Sequence, residues 1–343
     1  MSIPFRMSAL PDHNRLRRAS PHLATAGRSA DDAAVATIDD VAALGQRLRA
    51  AVEREMHMPE DTLGVVLATV LAGGHLLVED HPGVGKTRLA RTLARTLDGR
   101  FARVQATVDL LPGDILGTSI WRPDSARFEF LPGPVFTNVL LVDELNRATP
   151  KTQSGLLEAM QERQVTVDGH SRPIEAPFTV IATQNPAAGH DGTYPLPHAQ
   201  LDRFMTRVCL GYPTPDQELA LLRGGARTPA VVAVGSPARL LAAQRAAAGV
   251  HTSDALLRYV VTILEDTRRN PLAAVGASPR AGLLLTAAAR AHAALAGREF
   301  VLPDDVRALA GAVLVHRIQP APGAPDEARE RVVADALARA PAR

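Results

Sequence analysis

The sequence predicts an α/β fold: a doubly wound parallel sheet followed by an all-α helical domain. Three observations predict it. Leu76-Leu-Val78 is an apolar run that enters a glycine-rich turn and then a helical pattern. Val139-Leu-Leu-Val142 and Phe178–Thr183 are continuous apolar runs of strand length, as expected of strands buried on both faces, and each ends in polar residues. After Gly211-Tyr-Pro-Thr-Pro215 the chain becomes alanine-rich, with helix caps at regular intervals.

In chain order, residues 1–36 are rich in Arg, Ser, Pro and Ala and lack the apolar core of a secretory signal, so they are expected to be a disordered arm of a cytoplasmic protein. Met7 is a second candidate start. Residues 37–212 form the expected α/β core, opening with helical patterns near 38–56 and 60–72. A stretch of alternating polarity, Ala126–Leu131, predicts a hairpin or loop, and the segment Gln164–Ile174 predicts a hairpin with turn chemistry at Asp168-Gly169. Arg207-Val-Cys-Leu210 is expected to be a core strand, which would bury the single cysteine, Cys209, as an inert thiol. Residues 213–318 form the expected helical domain, with caps at Thr214, Ser236, Ser253 and Ser278 and a stop near Asn270-Pro271. Residues 319–343 are left as a short tail or helix.

Composition narrows the function classes. A formal net charge of +2 and 3% aromatic residues supply neither a basic stripe nor stacking platforms, so no specific nucleic-acid partner is expected. One cysteine excludes an internal disulfide. No apolar run approaches the roughly 20 residues that span a bilayer.

The chemistry-bearing residues lie at strand ends. His81-Pro-Gly-Val-Gly-Lys-Thr-Arg88 reads as a phosphate cradle. Gly83 and Gly85 let successive N–H groups turn inward, Lys86 can reach β- and γ-phosphates, and the Thr87 hydroxyl can ligate Mg²⁺. The pattern G-x-x-x-x-G-K-[ST] asks for glycine at position 80, where this chain has Asp80. Taken alone, these residues also fit a strand-turn-helix junction with chance glycines. Asp143 and Glu144 end the second apolar run, where Asp143 would bind Mg²⁺, directly or through water, and Glu144 would accept a proton from, or polarise, an attacking water. Asn185, after the third run, would orient that water, although Gln184-Asn-Pro186 by itself is an ordinary turn signal.

With these residues on the page, the chain over roughly residues 40 to 318 resembles the AAA+ ATPases, and within them the MoxR type of the helix-2-insert group. The resemblance is carried by Glu79–Thr87, Asp109-Leu-Leu-Pro-Gly-Asp-Ile-Leu-Gly117, Gly133-Pro-Val-Phe136, Asp143–Glu162, Ala182–Pro186, Gly192-Thr-Tyr-Pro-Leu-Pro197, Gln200-Leu-Asp-Arg-Phe204 and Gly276-Ala-Ser-Pro-Arg280. The family tolerates a non-glycine at the Asp80 position; His198 stands where a glutamate is usual. The resemblance implies a P-loop AAA+ core with a helical lid. It makes Asn185 the sensor 1 residue, Arg203 the arginine finger and Arg280 the sensor 2 residue, acting in its own subunit or a neighbour's. Arg147 is a further interface candidate. It implies Mg-ATP binding and hydrolysis in a ring of copies, expected as a hexamer, coupled to chaperone-like remodelling of a client protein, metal insertion among the options, often with a von Willebrand factor A domain partner. A nucleotide-gated scaffold with negligible turnover and a chelatase-subunit-like motor remain as alternatives. A transcription-activator ATPase is disfavoured, because the chain lacks that relative's Gly-Ala-Phe-Thr-Gly-Ala loop.

Overall fold

The computed structural model describes residues 36–81, 83–184, 193–212, 214–223 and 232–341. The expected readings at residues 1–35, Pro82 and Asn185 lie outside that set.

α1 (Ile38–Glu55) starts at a capping box: the Asp40 amide donates to the Thr37 hydroxyl at 3.2 Å, and the Thr37 amide to the Asp40 carboxylate at 2.8 Å. α2 (Glu60–Leu71) is apolar nearly all round and is buried from Leu63 to Leu71. Next come β1 (Leu76–Glu79), α3 (Lys86–Thr96), β2 (Phe101–Gln105), α4 (Pro112–Leu116), the hairpin β3 (Gly117–Arg122) and β4 (Arg127–Pro132), and β5 (Val139–Asp143). α5 (Pro150–Glu162) leads to a second hairpin, β6 (Gln164–Val167) and β7 (His170–Pro173), then β8 (Thr179–Gln184), α6 (His198–Leu201) and β9 (Thr206–Val208). Both hairpins stand where the sequence predicts them. The second turns through left-handed Asp168 and Gly169, with φ of 52° and 74°.

β2, β5, β8, β1 and β9 lie side by side in that order, and every pairing among them is parallel. Alternation fixes the two faces of this sheet. Leu76, Val78, Val139, Leu141 and Ile181 belong to the core under α1, α2 and α3, whereas Leu77, Leu140, Val142, Val180 and Ala182 belong to the core under α5. With both faces apolar, polar side chains can stand only at the strand ends. β1 neighbours both β8 and β9, so the turn after β1 opens at the crevice where chain order reverses, the usual ligand position in such sheets.

One polar group inside is fully satisfied. His75 accepts from the Val180 amide on Nδ1 at 3.0 Å, so Nε2 carries the proton toward the Met160 carbonyl, 3.2 Å away. Burial, with the Arg163 charge adding to it, pulls its pKa down to about 3.

The C-terminal part is helical: α7 (Pro215–Leu222), α8 (Pro237–Ala248), α9 (Asp254–Arg269), α10 (Pro279–Leu295), α11 (Pro303–Leu314) and α12 (Ala328–Arg339). A small antiparallel pair, β10 (Ala273–Val275) and β11 (Gln319–Pro320), sits among them. Ser236, Ser253 and Ser278 accept from the amides of Arg239, Leu256 and Ala281, capping α8, α9 and α10 as their sequence positions suggest. α10 carries buried alanines and packs on α1, α2, α8, α9 and α11. A Cβ at Gly282 would meet Leu264 Cδ1 at 2.7 Å, so glycine there lets α9 and α10 approach. Asp305 in the first turn of α11 is 1% exposed and accepts from His292 Nδ1 at 2.7 Å, from both Arg298 terminal nitrogens at 2.8 and 2.5 Å and from the Leu302 amide at 2.7 Å. Burial alone would raise its carboxyl; the bonds from Arg298, His292 and Leu302 outweigh it and bring the pKa down to about 2.

One expectation is corrected. β9 stops at Val208, and Cys209 is exposed in the segment after it rather than buried in a core strand, because this short edge strand pairs with β1 only over Thr206–Val208. The thiol is still raised above its ordinary value, by partial burial and by the Asp80 carboxylate, which keeps it poor in thiolate.

Two pH-linked predictions arise here. His75 is neutral in the fold down to about pH 3 but protonates near 6.5 when unfolded, so its contribution is complete above about 6.5 and is lost as pH falls toward 3. Urea unfolding should therefore show stability falling between about pH 7 and about pH 5, with a shallower slope in His75→Gln; equal slopes would contradict this. Asp305 has the same sign in a more acid window, being stabilising above about 3.8 and losing its contribution as pH falls through about 2. At neutral pH Asp305→Ala should lower the unfolding free energy by about 3 kcal/mol.

Candidate functional site

The turn after β1 is built on two left-handed glycines, Gly83 at φ 91° and Gly85 at φ 98°, and Gly85 serves as the N-cap of α3. No side chain caps this helix, in contrast to α1, α5, α8, α9 and α10. Its positive end therefore opens directly onto solvent space, as anion sites require. Lys86 Nζ donates to the Asp80 carbonyl at 2.6 Å. Burial pulls its ammonium below the ordinary lysine value, and Asp80, Asp143 and Glu144 oppose that.

Asp80 explains its own departure from glycine. It does not adopt a left-handed φ, so no glycine is needed. Its carboxylate is 6% exposed and accepts from the amides of Leu210 at 2.7 Å, Gly211 at 2.8 Å and His81 at 2.9 Å. The start of the cradle is thereby tied to the chain that leaves β9 toward the helical part. His81 stacks on Tyr212 in that same segment, ring centroids 5.6 Å apart. Val84 points into the core.

A cleft of about 400 Å³ is lined by Gly83, Gly85, Lys86, Thr87 and Arg88 from the turn and α3, and by Asp143 and Glu144 at the end of β5, which confront them from the next strand but one. The fold thus gathers residues far apart in the chain. It adds three that the sequence reading passed over: Arg103 and Gln105 on β2, and Thr183 on β8. Arg103 Nε lies 2.7 Å from Asp143 Oδ2. Gln105 Nε2 donates to Glu144 Oε2 at 3.2 Å, and Arg147 Nε lies 3.0 Å from the same oxygen. The Glu144 amide donates to the Thr183 hydroxyl at 2.9 Å. No local signal marks β2 in the sequence; only its pairing with β5, Gln105 opposite Asp143, brings these side chains in.

Glu144 adopts a left-handed backbone, φ 55° and ψ 47°, which costs about 1 to 2 kcal/mol for a residue with a Cβ. Thr183 and the 3₁₀ turn Leu145–Arg147 hold it there, the Arg147 amide donating to the Glu144 carbonyl at 2.8 Å. The consequence is a carboxylate turned away from the strand axis toward the cleft.

A triphosphate with Mg²⁺ fits this donor set. The open helix end and Lys86 suit phosphate oxygens, while the Thr87 hydroxyl and the Asp143 carboxylate, 7% exposed, are hard oxygen ligands of the kind Mg²⁺ takes.

Arg203 and Arg280 do not line the cleft. Arg203 lies in the turn after α6 and donates to the Ala199 carbonyl at 2.6 Å, while its Nε is buried without a partner among the described residues. Arg280, in the first turn of α10, lies 3.7 Å from Asp202, the residue before Arg203. The two arginines therefore share one locality, brought together from separate elements, the turn after α6 and the start of α10.

Comparison with known proteins agrees with this geometry. Residues 75–206 match the family model "ATPase family associated with various cellular activities (AAA)" and residues 265–336 match "AAA lid domain". The chain is 44% identical over 263 residues to Chaperone MoxR1 of Mycobacterium tuberculosis, covering 74% of this chain and 70% of that one. It is 43% identical over 291 residues to the uncharacterized protein YeaC of Bacillus subtilis, covering 84% and 90%, and 36% identical over 286 residues to Protein MoxR of Paracoccus denitrificans, covering 75% and 83%. The crystal structure of a candidate ATPase from Cytophaga hutchinsonii superposes with a TM-score of 0.78 at 34% identity, covering 88% of this chain and 96% of that one. A sheet with its cradle at the reversal of strand order, a helical lid and these relatives together place the chain in the MoxR family of AAA+ ATPases.

Proposed function

We propose that the protein binds Mg-ATP in the cleft between the α3 N-terminus and the end of β5, hydrolyses it to ADP and phosphate in a ring of copies, and uses the cycle to remodel a partner protein. The observation that carries this reading is the convergence of Lys86, Thr87, Asp143 and Glu144 on one cleft, with two arginines, Arg203 and Arg280, grouped apart from it.

In this reading Lys86 leaves the Asp80 carbonyl for β- and γ-phosphate oxygens. Thr87 and Asp143 would hold Mg²⁺, which neutralises phosphate charge when bound. Glu144 takes the proton of the attacking water, and Asn185 from the segment after β8 orients that water. Gln105 and Arg147 hold the Glu144 carboxylate before the reaction and must yield it as the water is positioned. Arg203 and Arg280 serve a neighbour's nucleotide, since neither lines its own subunit's cleft. Hydrolysis then depends on assembly, and the core over 37–212 and the lid over 213–318 move relative to each other as the nucleotide changes.

A chaperone role rests on the name of the mycobacterial relative. The client, a von Willebrand factor A domain partner, metal insertion, a cytoplasmic location and a hexameric ring belong to the proposal. Among the described residues no helix is long and apolar enough to cross a membrane. The nucleotide-gated scaffold is the second reading; Glu144 argues against it, because a pure binder has no chemical use for a strained carboxylate facing the cleft.

ATP binding and steady-state turnover of the full chain should sort these roles. Lys86→Ala loses ATP binding. Glu144→Gln keeps it and loses about 10² to 10⁴ in kcat. Arg203→Ala and Arg280→Ala bind ATP, and Arg203→Ala loses about 10³ in kcat. Specific activity rises with protein concentration until the ring is complete. Concentration-independent turnover, or an Arg203→Ala protein as fast as the parent, would count against the ring mechanism.

A further inference from the structure

Beyond the cleft, the most heavily bonded side chain outside the Asp305 cluster is Arg317, in the 3₁₀ turn Val315–Arg317 that closes α11. It is 6% exposed, yet all five of its N–H groups have acceptors. Nε donates to Asp202 Oδ1 at 2.6 Å. One terminal nitrogen donates to the carbonyls of Asp202 at 3.1 Å and Phe204 at 2.5 Å. The other donates to the Met205 carbonyl at 3.2 Å and to the Val313 carbonyl. Three of these acceptors are backbone carbonyls of the turn that contains Arg203, and the carboxylate it grips is also the one Arg280 approaches.

The charge arrangement gives this contact a direction. Arg280 and Arg317 flank one carboxylate, Asp202, the residue before Arg203. Arg317 is sealed inside, so its charge is spent on Asp202, while Arg280 remains 43% exposed in its side chain and Arg203 is half-buried. Asp202, held on its inner side by Arg317, presents its other oxygen to Arg280. His316 supports the same turn from within, Nε2 lying 3.1 Å from the Phe204 carbonyl, and burial and the Arg317 charge hold it neutral, so no further cation enters the cluster.

We infer that Arg317 is a positioning residue: from the turn that closes α11 it fixes the Asp202–Met205 turn and thereby the pair Arg203 and Arg280 that one subunit presents to its neighbour's nucleotide. This rests on the reading of Arg203 as a residue acting across subunits. It makes the turn that closes α11 part of the arginine face, so a movement of α10 and α11 that changes the grip on Asp202 changes the help given to the adjacent subunit, while the subunit's own cleft is untouched.

The test uses the full chain with ATP and Mg²⁺ as probes. Arg317→Gln should lower kcat by about 10² while ATP affinity stays at the parent value, and Arg317→Lys, which keeps charge but loses the fork, should recover only part of that. The decisive readout is mixing with Glu144→Gln. Glu144→Gln subunits cannot hydrolyse but carry an intact arginine face, so mixed rings should regain turnover at clefts of Arg317→Gln subunits. Arg203→Ala is mixed in parallel. If Arg203→Ala is rescued and Arg317→Gln, assembled to the same mass, is not, or if Arg317→Gln turns over like the parent, the positioning role is overturned and the cross-subunit reading stands. If Arg203→Ala itself retains full turnover or is not rescued, the cross-subunit reading fails and this inference falls with it. Should Arg317→Gln not assemble, Asp202→Asn, which removes one acceptor of the same grip, carries the same mixing test with the same two outcomes.

Discussion

An uncapped helix end is the constraint around which this molecule is arranged. α3 begins at a left-handed glycine with no side chain to receive its first-turn amides, whereas α1, α5, α8, α9 and α10 begin at Thr or Ser hydroxyls that do. Such an end carries about half a positive charge and calls for an anion. The rest of the cleft follows from where the fold leaves that end: at the edge of a sheet buried on both faces, beside the one place where strand order reverses. Lys86 adds a full charge, resting on the Asp80 carbonyl, and the acids at the end of β5 supply the counter-charges a metal needs.

The chemistry is divided between two localities of one chain. The glycine turn, Lys86 and the paired acids share the cleft; the candidate arginines meet at the turn before β9, which Arg280 approaches from α10. Two backbone features serve that division. Strain at Glu144 turns its carboxylate toward the cleft, and Asp80 ties the cradle to Leu210 and Gly211, where the chain leaves the sheet for the lid. The glycine turn thus has a short covalent and hydrogen-bonded route to the segment that leads into the helical part. Arg317 closes the circuit from the far end, joining the lid's α11 to the turn that carries Arg203.

What the sequence made legible was local. Continuous apolar runs marked β1, β5 and β8, Asp168-Gly169 marked a turn, serines before α8, α9 and α10 marked caps, and Gly-Lys-Thr after a strand marked the cradle. What it hid was brought together by pairing at a distance. Gln105 and Arg103 matter only because β2 lies against β5, Asp80 only because β9 lies beside β1, and Arg317 only because α11 ends over the turn before β9. Cys209 shows the complementary limit: an apolar run suggested a longer core strand, but pairing with β1 ended at Val208.

The most direct test of the central claim is a structure of the assembled full chain with Mg²⁺ and a non-hydrolysable ATP analogue. The account predicts the triphosphate against the backbone of 83–87, Lys86 on phosphate oxygens instead of the Asp80 carbonyl, and Arg203 of the adjacent copy at the terminal phosphate. A nucleotide bound away from α3, or one at α3 with Arg203 of every copy remote from any terminal phosphate, would contradict it.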